Sequence, residues 1–302
     1  MGLPEITLTD RELYEALALR VDGKVTSNRA QKRLQQSNAL NLGKTLFSQQ
    51  IDFITDPSKR KAAICSRRSG KSFAAGRYLI KEALEDAGTT CVYIARTREA
   101  AKRILWSSLK EANQQFRLNI KFNNADLIAV FPNQSKIMFT GANDASDVDK
   151  LRGAAFSLAV LDEAAFFNIN LKELVNEVIT PALLDRDGSL VMISTPNSLC
   201  HGFFYDITEK GTYNFSIHRW TVKDNPYMKH AVRAIQKDID NGILDPEDPS
   251  YKREYLGIWV RDDQEIVYGY SQENLFEDSP DSNVLANILG IDLGYHEASS
   301  FV

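Results

Sequence analysis

Eight consecutive residues, Cys65-Ser66-Arg67-Arg68-Ser69-Gly70-Lys71-Ser72, follow the pattern G-x-x-x-x-G-K-[ST], with Cys65 standing at the first glycine. Each type in that pattern acts on a phosphate. Gly70 lets the backbone approach the anion, and the amides that open the next helix face it. Lys71 supplies a point charge to the β and γ oxygens, and the Ser72 hydroxyl is a Mg²⁺ ligand. Ser66, Arg67, Arg68 and Ser69 complete the candidate nucleotide-binding set. Further along, Leu158-Ala159-Val160-Leu161-Asp162-Glu163 is an apolar run that ends in two carboxylates. Asp162 suits the Mg²⁺ shell, and Glu163 suits orienting or deprotonating an attacking water. Together the two segments imply Mg²⁺-dependent ATP hydrolysis. Ser194-Thr195-Pro196, read alone, is a strand end meeting a turn. Beside a triphosphate, its short hydroxyl side chains are placed to report loss of the γ-phosphate.

A loop of this kind needs a strand before it and a helix after it. Ala62–Cys65, Thr90–Ala95, Leu158–Leu161 and Ser189–Ser194 are short apolar runs. They read as strands buried on both faces, hence a parallel sheet. Between them lie helical patterns, one with Gly76, Ile80 and Leu84, another with Ala101, Leu105, Leu109, Ala112 and Phe116. The alternation predicts an α/β fold with a mainly parallel central sheet flanked by helices. Ile128–Phe131 and Lys136–Phe139, joined by Pro132-Asn133-Gln134-Ser135, read as an antiparallel hairpin. The expected division is an N-terminal helical segment (1–43), a nucleotide-binding core (44–202) and a small α+β lid (203–260), with one strand from Tyr213 to Val222 and helices around 227–241 and 249–257. A linker rich in Asp, Glu, Ser and Pro (261–285) and a fresh strand, Ile288–Gly294, follow.

The 302 residues carry a net charge of −4, which argues against a surface coated with nucleic acid but leaves room for a local basic groove. No apolar run reaches the length that spans a membrane, and the N-terminus lacks the features of a signal peptide. The three cysteines form no C-x-x-C and read as free thiols in a reduced, intracellular setting. His201, His218, His230 and His296 fall into no ligand spacing.

In this order the motifs resemble the ATPase domain of the large terminase subunit, the DNA-packaging motor of tailed bacteriophages and herpesviruses, over about residues 44–302. Leu46–Ile54 is similar to the family's adenine-recognition segment, with Gln50 at its glutamine and Gln49 adjacent. The family's phosphate loop often lacks the first glycine and has an arginine at the place of Arg67. Leu151-Arg152-Gly153 precedes the carboxylate strand, and the resemblance implies that Arg152 is a finger reaching a neighbouring subunit's nucleotide. Ser194-Thr195-Pro196 resembles the coupling motif, and Glu254–Trp259 the segment that closes the lid.

Gly290-Ile291-Asp292-Leu293-Gly294 resembles the first strand of an RNase H-like nuclease domain (286–302), with Asp292 as its metal-binding aspartate. Such a site needs several carboxylates for its divalent metals. Only Asp292 falls in this chain, so endonuclease activity is expected of the full-length family member alone. The resemblance further implies double-stranded viral DNA, a portal protein and a small terminase subunit as partners. It also implies a homo-oligomeric ring on the capsid and a location in the host cell cytoplasm, with no membrane. A helicase of similar core would need a second RecA-like domain, for which 203–302 is too short. A nucleotide-operated assembly switch would need no residue such as Glu163.

Overall fold

In the computed structural model, which describes residues 42–143, 147–148, 151–261, 291–292 and 300–301, all four apolar runs are strands. In chain order the elements are α1 (Ser48–Thr55), β1 (Arg60–Cys65), α2 (Lys71–Glu85) and β2 (Thr90–Ala95). A helical stretch, α3, follows in three parts, Arg98–Ala101, a π turn at Lys102–Trp106, and Ser107–Phe116. Next come β3 (Lys121–Asn123), β4 (Ile128–Val130), β5 (Lys136–Gly141) and β6 (Leu158–Asp162). Helix α4 spans Leu171–Glu173, Leu174–Ile179 and Thr180–Leu184, and leads to β7 (Ser189–Ser194), α5 (Phe203–Glu209) and β8 (Ser216–Trp220). Helices α6 (Lys229–Asp240) and α7 (Pro249–Leu256) match the two helices expected there.

The strands form one sheet in the order β3-β4-β5-β2-β6-β7-β1-β8. From β5 to β8 every pairing is parallel. Within this sheet the antiparallel pairings are β3–β4 and β4–β5, so the expected hairpin (β4–β5) is present and carries the sheet outward. Every residue of β6 is buried, as a strand covered on both faces must be. Phe53, Leu79, Leu105 and Trp106 belong to the core on one face. Leu151, Phe156, Val175, Ile179 and Phe204 belong to the core on the other. Strand β7 sits between β1 and β6. That order sets Cys65, Ser194 and Asp162 side by side at one edge, where ligands bind in open α/β sheets.

The stretch 203–260 differs from the expected separate lid. Its strand β8 pairs with β1 from Lys61↔Ser216 to Cys65↔Trp220 and completes the core sheet. Without it, β1 would present a row of unpaired N–H and C=O groups at the sheet edge. A second compact unit begins at Asp263. Within it, Ile291–Asp292 (β9) pairs antiparallel with Ser300–Phe301 (β10), Asp292 opposite Ser300. Residues 1–41 of the expected N-terminal segment, 262–285 of the linker, and 288–290 and 293–294 of the expected strand lie outside the described residues. Among the described residues no helix is long and apolar enough to cross a membrane.

Candidate active site

The loop between β1 and α2 is held from below and from the side. Arg68 (φ 57°) and Gly70 (φ 84°) take left-handed backbone, which turns the chain sharply into Lys71, the first residue of α2. At Gly70 the left-handed φ favours glycine, and a Cβ there would also lie 2.7 Å from Gln50 Nε2 and push that side chain off the loop. Gln50 is buried and donates Nε2 to the Gly70 carbonyl at 3.0 Å. Gln49 turns instead to Asp224. The structure thus places Gln50 against the loop. Trp220 Nε1 donates to the Ser69 carbonyl at 3.0 Å, and Asn225 Nδ2 to that of Arg68 at 3.0 Å. The buried Ser66 hydroxyl accepts from Val222 N at 2.7 Å, which gives Ser66 an anchoring role. Helix α7 closes the other side. Arg67 N donates to the Glu254 carbonyl at 2.7 Å, and the Arg67 guanidinium pairs with the Glu254 carboxylate. Gly257 (φ 66°) packs so closely that a Cβ there would lie 3.0 Å from Ser66 N.

The carboxylates meet this loop from β6. Asp162 is fully buried. Its Oδ1 accepts from Glu163 N at 2.8 Å, Tyr93 OH from β2 donates to Oδ2, and the Ser72 hydroxyl also bonds the carboxylate. Burial, then the neighbouring Glu163 charge, hold the Asp162 carboxyl above the usual range, against the opposing pull of Lys71 and the Tyr93 and Ser72 hydrogen bonds. Glu163 adopts φ 56°, ψ 46°, a left-handed conformation that costs a non-glycine residue energy and recurs at active sites. The turn swings its carboxylate back over the loop. Oε1 lies 2.9 Å from Lys71 Nζ. Oε2 takes the Thr195 amide and hydroxyl, each at 3.4 Å, and the Ser194 hydroxyl at 3.3 Å. Burial draws the Lys71 ammonium down, but Glu163 and Asp162 outweigh it and hold Lys71 above its usual value. The lysine is therefore a fixed cation.

A hydroxyl and a buried carboxylate already in contact, Ser72 and Asp162, form a hard-oxygen donor pair of the kind Mg²⁺ takes alongside phosphate oxygens. Among the described residues no group of three or more His, Cys, Asp or Glu is placed to hold a metal.

Two cavities flank the loop. A mainly apolar one of about 410 Å³ is lined by Phe47, Gln50, Gly70, Phe73, Asn225 and Tyr227. Its size and aromatic walls suit a purine base. A larger cleft of about 680 Å³ opens on the other side, past Arg67, Asp162, Glu163 and Thr195. Arg68 is exposed and lines neither cavity, and Arg152 sits exposed in the turn before β6, also outside both. Asp292 belongs to the second unit. The structure also brings in Tyr93, Asn225 and Glu254, which the sequence reading did not assign to the site. A tyrosine inside an apolar run reads as core, and nothing local marks which strand its hydroxyl reaches.

Comparison with known proteins agrees with this geometry. The chain is 29% identical over 193 residues to the large terminase subunit of Thermus phage G20c, an alignment that covers 58% of this chain and 39% of that protein, so it spans about two fifths of its length. The fold is similar to the large terminase ATPase domain of Thermus phage P74-26 (TM-score 0.57, 21% identity, 78% of this chain and all of that one). It is also similar to the large terminase of another thermophilic bacteriophage, in complex with ADP (TM-score 0.57, 19% identity, 70% of this chain and 53% of that one). The described sheet is thus that of a P-loop ATPase domain. The family model for the N-terminal part of the T4-like-virus-type large terminase subunit matches residues 63–276, and the chain belongs to that family.

Proposed function

We propose that this chain is the ATP-hydrolysing part of a motor that drives double-stranded viral DNA into a preformed capsid. One observation carries the reading: Glu163, in a strained left-handed turn, lies 2.9 Å from the phosphate-loop lysine while its other oxygen is held by Ser194 and Thr195. A mere nucleotide switch has no use for a carboxylate so placed. In this reading the adenine lies in the cavity beside Gln50, with Lys71 and Arg67 at the phosphates. Ser72 and Asp162 hold Mg²⁺, which when bound neutralises charge on the β and γ oxygens. Glu163 orients the water and takes its proton. Thr195, bonded to that same carboxylate, relays the change to the strands behind it. The thermophilic phage terminase of similar fold is known with ADP bound, which supports the assignment of the cavity.

Exposed Arg152 acts on a neighbouring subunit's nucleotide, so the catalytic unit is a ring. Such a motor grips DNA through its backbone, independent of sequence. The portal protein, a small terminase subunit and the host cytoplasm complete the proposal, and the nuclease belongs to the full-length protein.

The test is Mg²⁺-dependent ATP hydrolysis measured against protein concentration. Glu163→Gln is expected to lower turnover by about 10²–10⁴-fold. The parent rate per subunit is expected to rise with concentration, and that of Arg152→Ala to stay flat. Turnover that survives in Glu163→Gln removes the catalytic assignment, and a concentration-dependent rise in Arg152→Ala removes the arginine's role between subunits.

A further inference from the structure

The larger cleft holds more positive charge than its carboxylates account for. Of its lining charges, Arg67 is paired with Glu254, and Glu163 with Lys71 of the phosphate loop. Arg96, just past the end of β2, and Arg103, on the π turn of α3, also line the cleft. Both are exposed, and neither guanidinium makes a hydrogen bond or ion pair among the described residues. The helix that carries Arg103 begins at the cleft, its N-terminus capped by Thr97, whose hydroxyl accepts from Ala100 N at 3.1 Å. Arg103 lies within this π turn, and such turns gather at functional sites. With Glu163 and Thr195 also lining the cleft, these two guanidinium groups, unpaired among the described residues, make a place for an oxyanion.

The chemistry says which oxyanion. This step rests on the ATP-hydrolysing reading above. In an in-line displacement the water oxygen forms the new P–O bond as the bridging oxygen leaves with ADP, and the water's proton passes to Glu163. ADP stays on the side of the loop and of the cavity beside Gln50. The new phosphate is therefore released on the side of Glu163, and that side opens into the cleft of about 680 Å³. We propose that Arg96 and Arg103 form a product site that holds inorganic phosphate in this cleft after hydrolysis and sets the pace of its release.

The experiment is a titration of inorganic phosphate into the full chain saturated with ADP, read by phosphorus NMR. Beside the parent stand Arg96→Ala, Arg103→Ala, the double variant and Arg96→Lys. Each alanine is expected to weaken phosphate binding on the order of tenfold, the loss of one charge-assisted contact. Arg96→Lys is expected to restore part of the loss, keeping the charge without the fork. ADP affinity is expected to stay within about twofold. Phosphate inhibition of steady-state hydrolysis is expected to weaken in the same order.

A parent that binds ADP but no phosphate, or a double variant that binds phosphate like the parent, overturns the product site and leaves the nucleotide reading standing. A parent that binds neither overturns both. Short duplex DNA is titrated in parallel at low salt. If the alanines weaken DNA binding and leave phosphate binding intact, the arginines serve DNA phosphates and the product site is again overturned.

Discussion

Two buried lysines, Lys61 near the start of β1 and Lys71 at the start of α2, show how one side-chain type meets opposite environments on the two sides of the phosphate loop. Lys61 is 1% exposed and Lys71 8%. Lys61 Nζ donates to Tyr78 OH at 3.0 Å and to the Phe53 carbonyl at 3.4 Å, and lies 4.5 Å from the centre of the Tyr78 ring. None of these partners is charged. Burial accordingly pulls its ammonium down to about 8, with only partial support from the charge of Asp56. Lys71 suffers the same burial, but Glu163 at 2.9 Å and Asp162 behind it push it the other way. Depth inside the protein does not alone decide how firmly a lysine holds its proton; a carboxylate in contact does. Lys71 is thereby kept as a cation already in place for phosphate, whereas Lys61 is a polar filler of the core.

Removing each lysine separates the two roles. Lys71→Met is expected to cost at least about 10²–10³-fold in ATP hydrolysis, the loss typical of one group that stabilises transition-state charge. It also leaves Asp162 and Glu163 uncompensated, which is expected to destabilise the fold by about 3–5 kcal/mol at neutral pH. The sign with pH follows from Asp162. Its folded carboxyl is held above the usual range, so the folded state binds protons that the unfolded state has released, and stability falls as pH rises. The deficit of Lys71→Met should therefore shrink on acidification. Denaturant unfolding at pH 7 and at pH 5 measures it, and an equal deficit at both values would show that the carboxylates are not the cause.

Lys61→Met is expected to leave hydrolysis within about twofold and to change only the pH profile of stability. With a folded value of about 8 against an ordinary 10.5, the unfolded chain binds more protons between those limits, so the parent gains stability as pH rises through that window. The difference between parent and variant should shift by roughly 3 kcal/mol across it. Thermal or denaturant unfolding from pH 7 to pH 10.5 reads this directly. A constant difference would place Lys61 in water rather than in the core.

Only one of these two lysines stands out in the sequence. Lys71, Ser72, Asp162, Glu163 and Thr195 each close or follow a short apolar run, so local pattern alone brought them forward, and the sheet order then set them side by side. The fold class was legible for the same reason, since buried parallel strands announce themselves as apolar runs. Gln50 emerged only through the family resemblance, and Arg67, already within the loop, took its individual role from there. The role of β8 was hidden, because a parallel pairing between β1 and a strand that comes last in the sheet leaves no trace in either segment. The Arg67–Glu254 pair was hidden for the same reason. Arg152 was named from the resemblance, and the structure gives it an exposed place outside both cavities.

Each lysine environment contains one buried tyrosine, and the pair offers the finest test. Tyr78 OH accepts from Lys61, whereas Tyr93 OH donates to Asp162 Oδ2. Tyr93→Phe removes a donor from the fully buried Asp162 carboxyl, which Lys71 also faces. The expected cost is about 1.5–3 kcal/mol, the range for hydrogen bonds to charged groups. Tyr78→Phe removes one of two acceptors from a lysine that also has the Phe53 carbonyl, and the expected cost is about 0.5–1.5 kcal/mol. The two differ in function as well. Without Tyr93, one oxygen of Asp162 is free to swing, so ATP hydrolysis should need more Mg²⁺ to saturate. Tyr78→Phe should leave that requirement where it was. Denaturant unfolding of the two variants, with Mg²⁺ titrations of hydrolysis and of nucleotide binding, decides the matter. Equal stability costs and equal Mg²⁺ requirements would mean that the Tyr93 hydroxyl only fills space beside Asp162 and does not orient it.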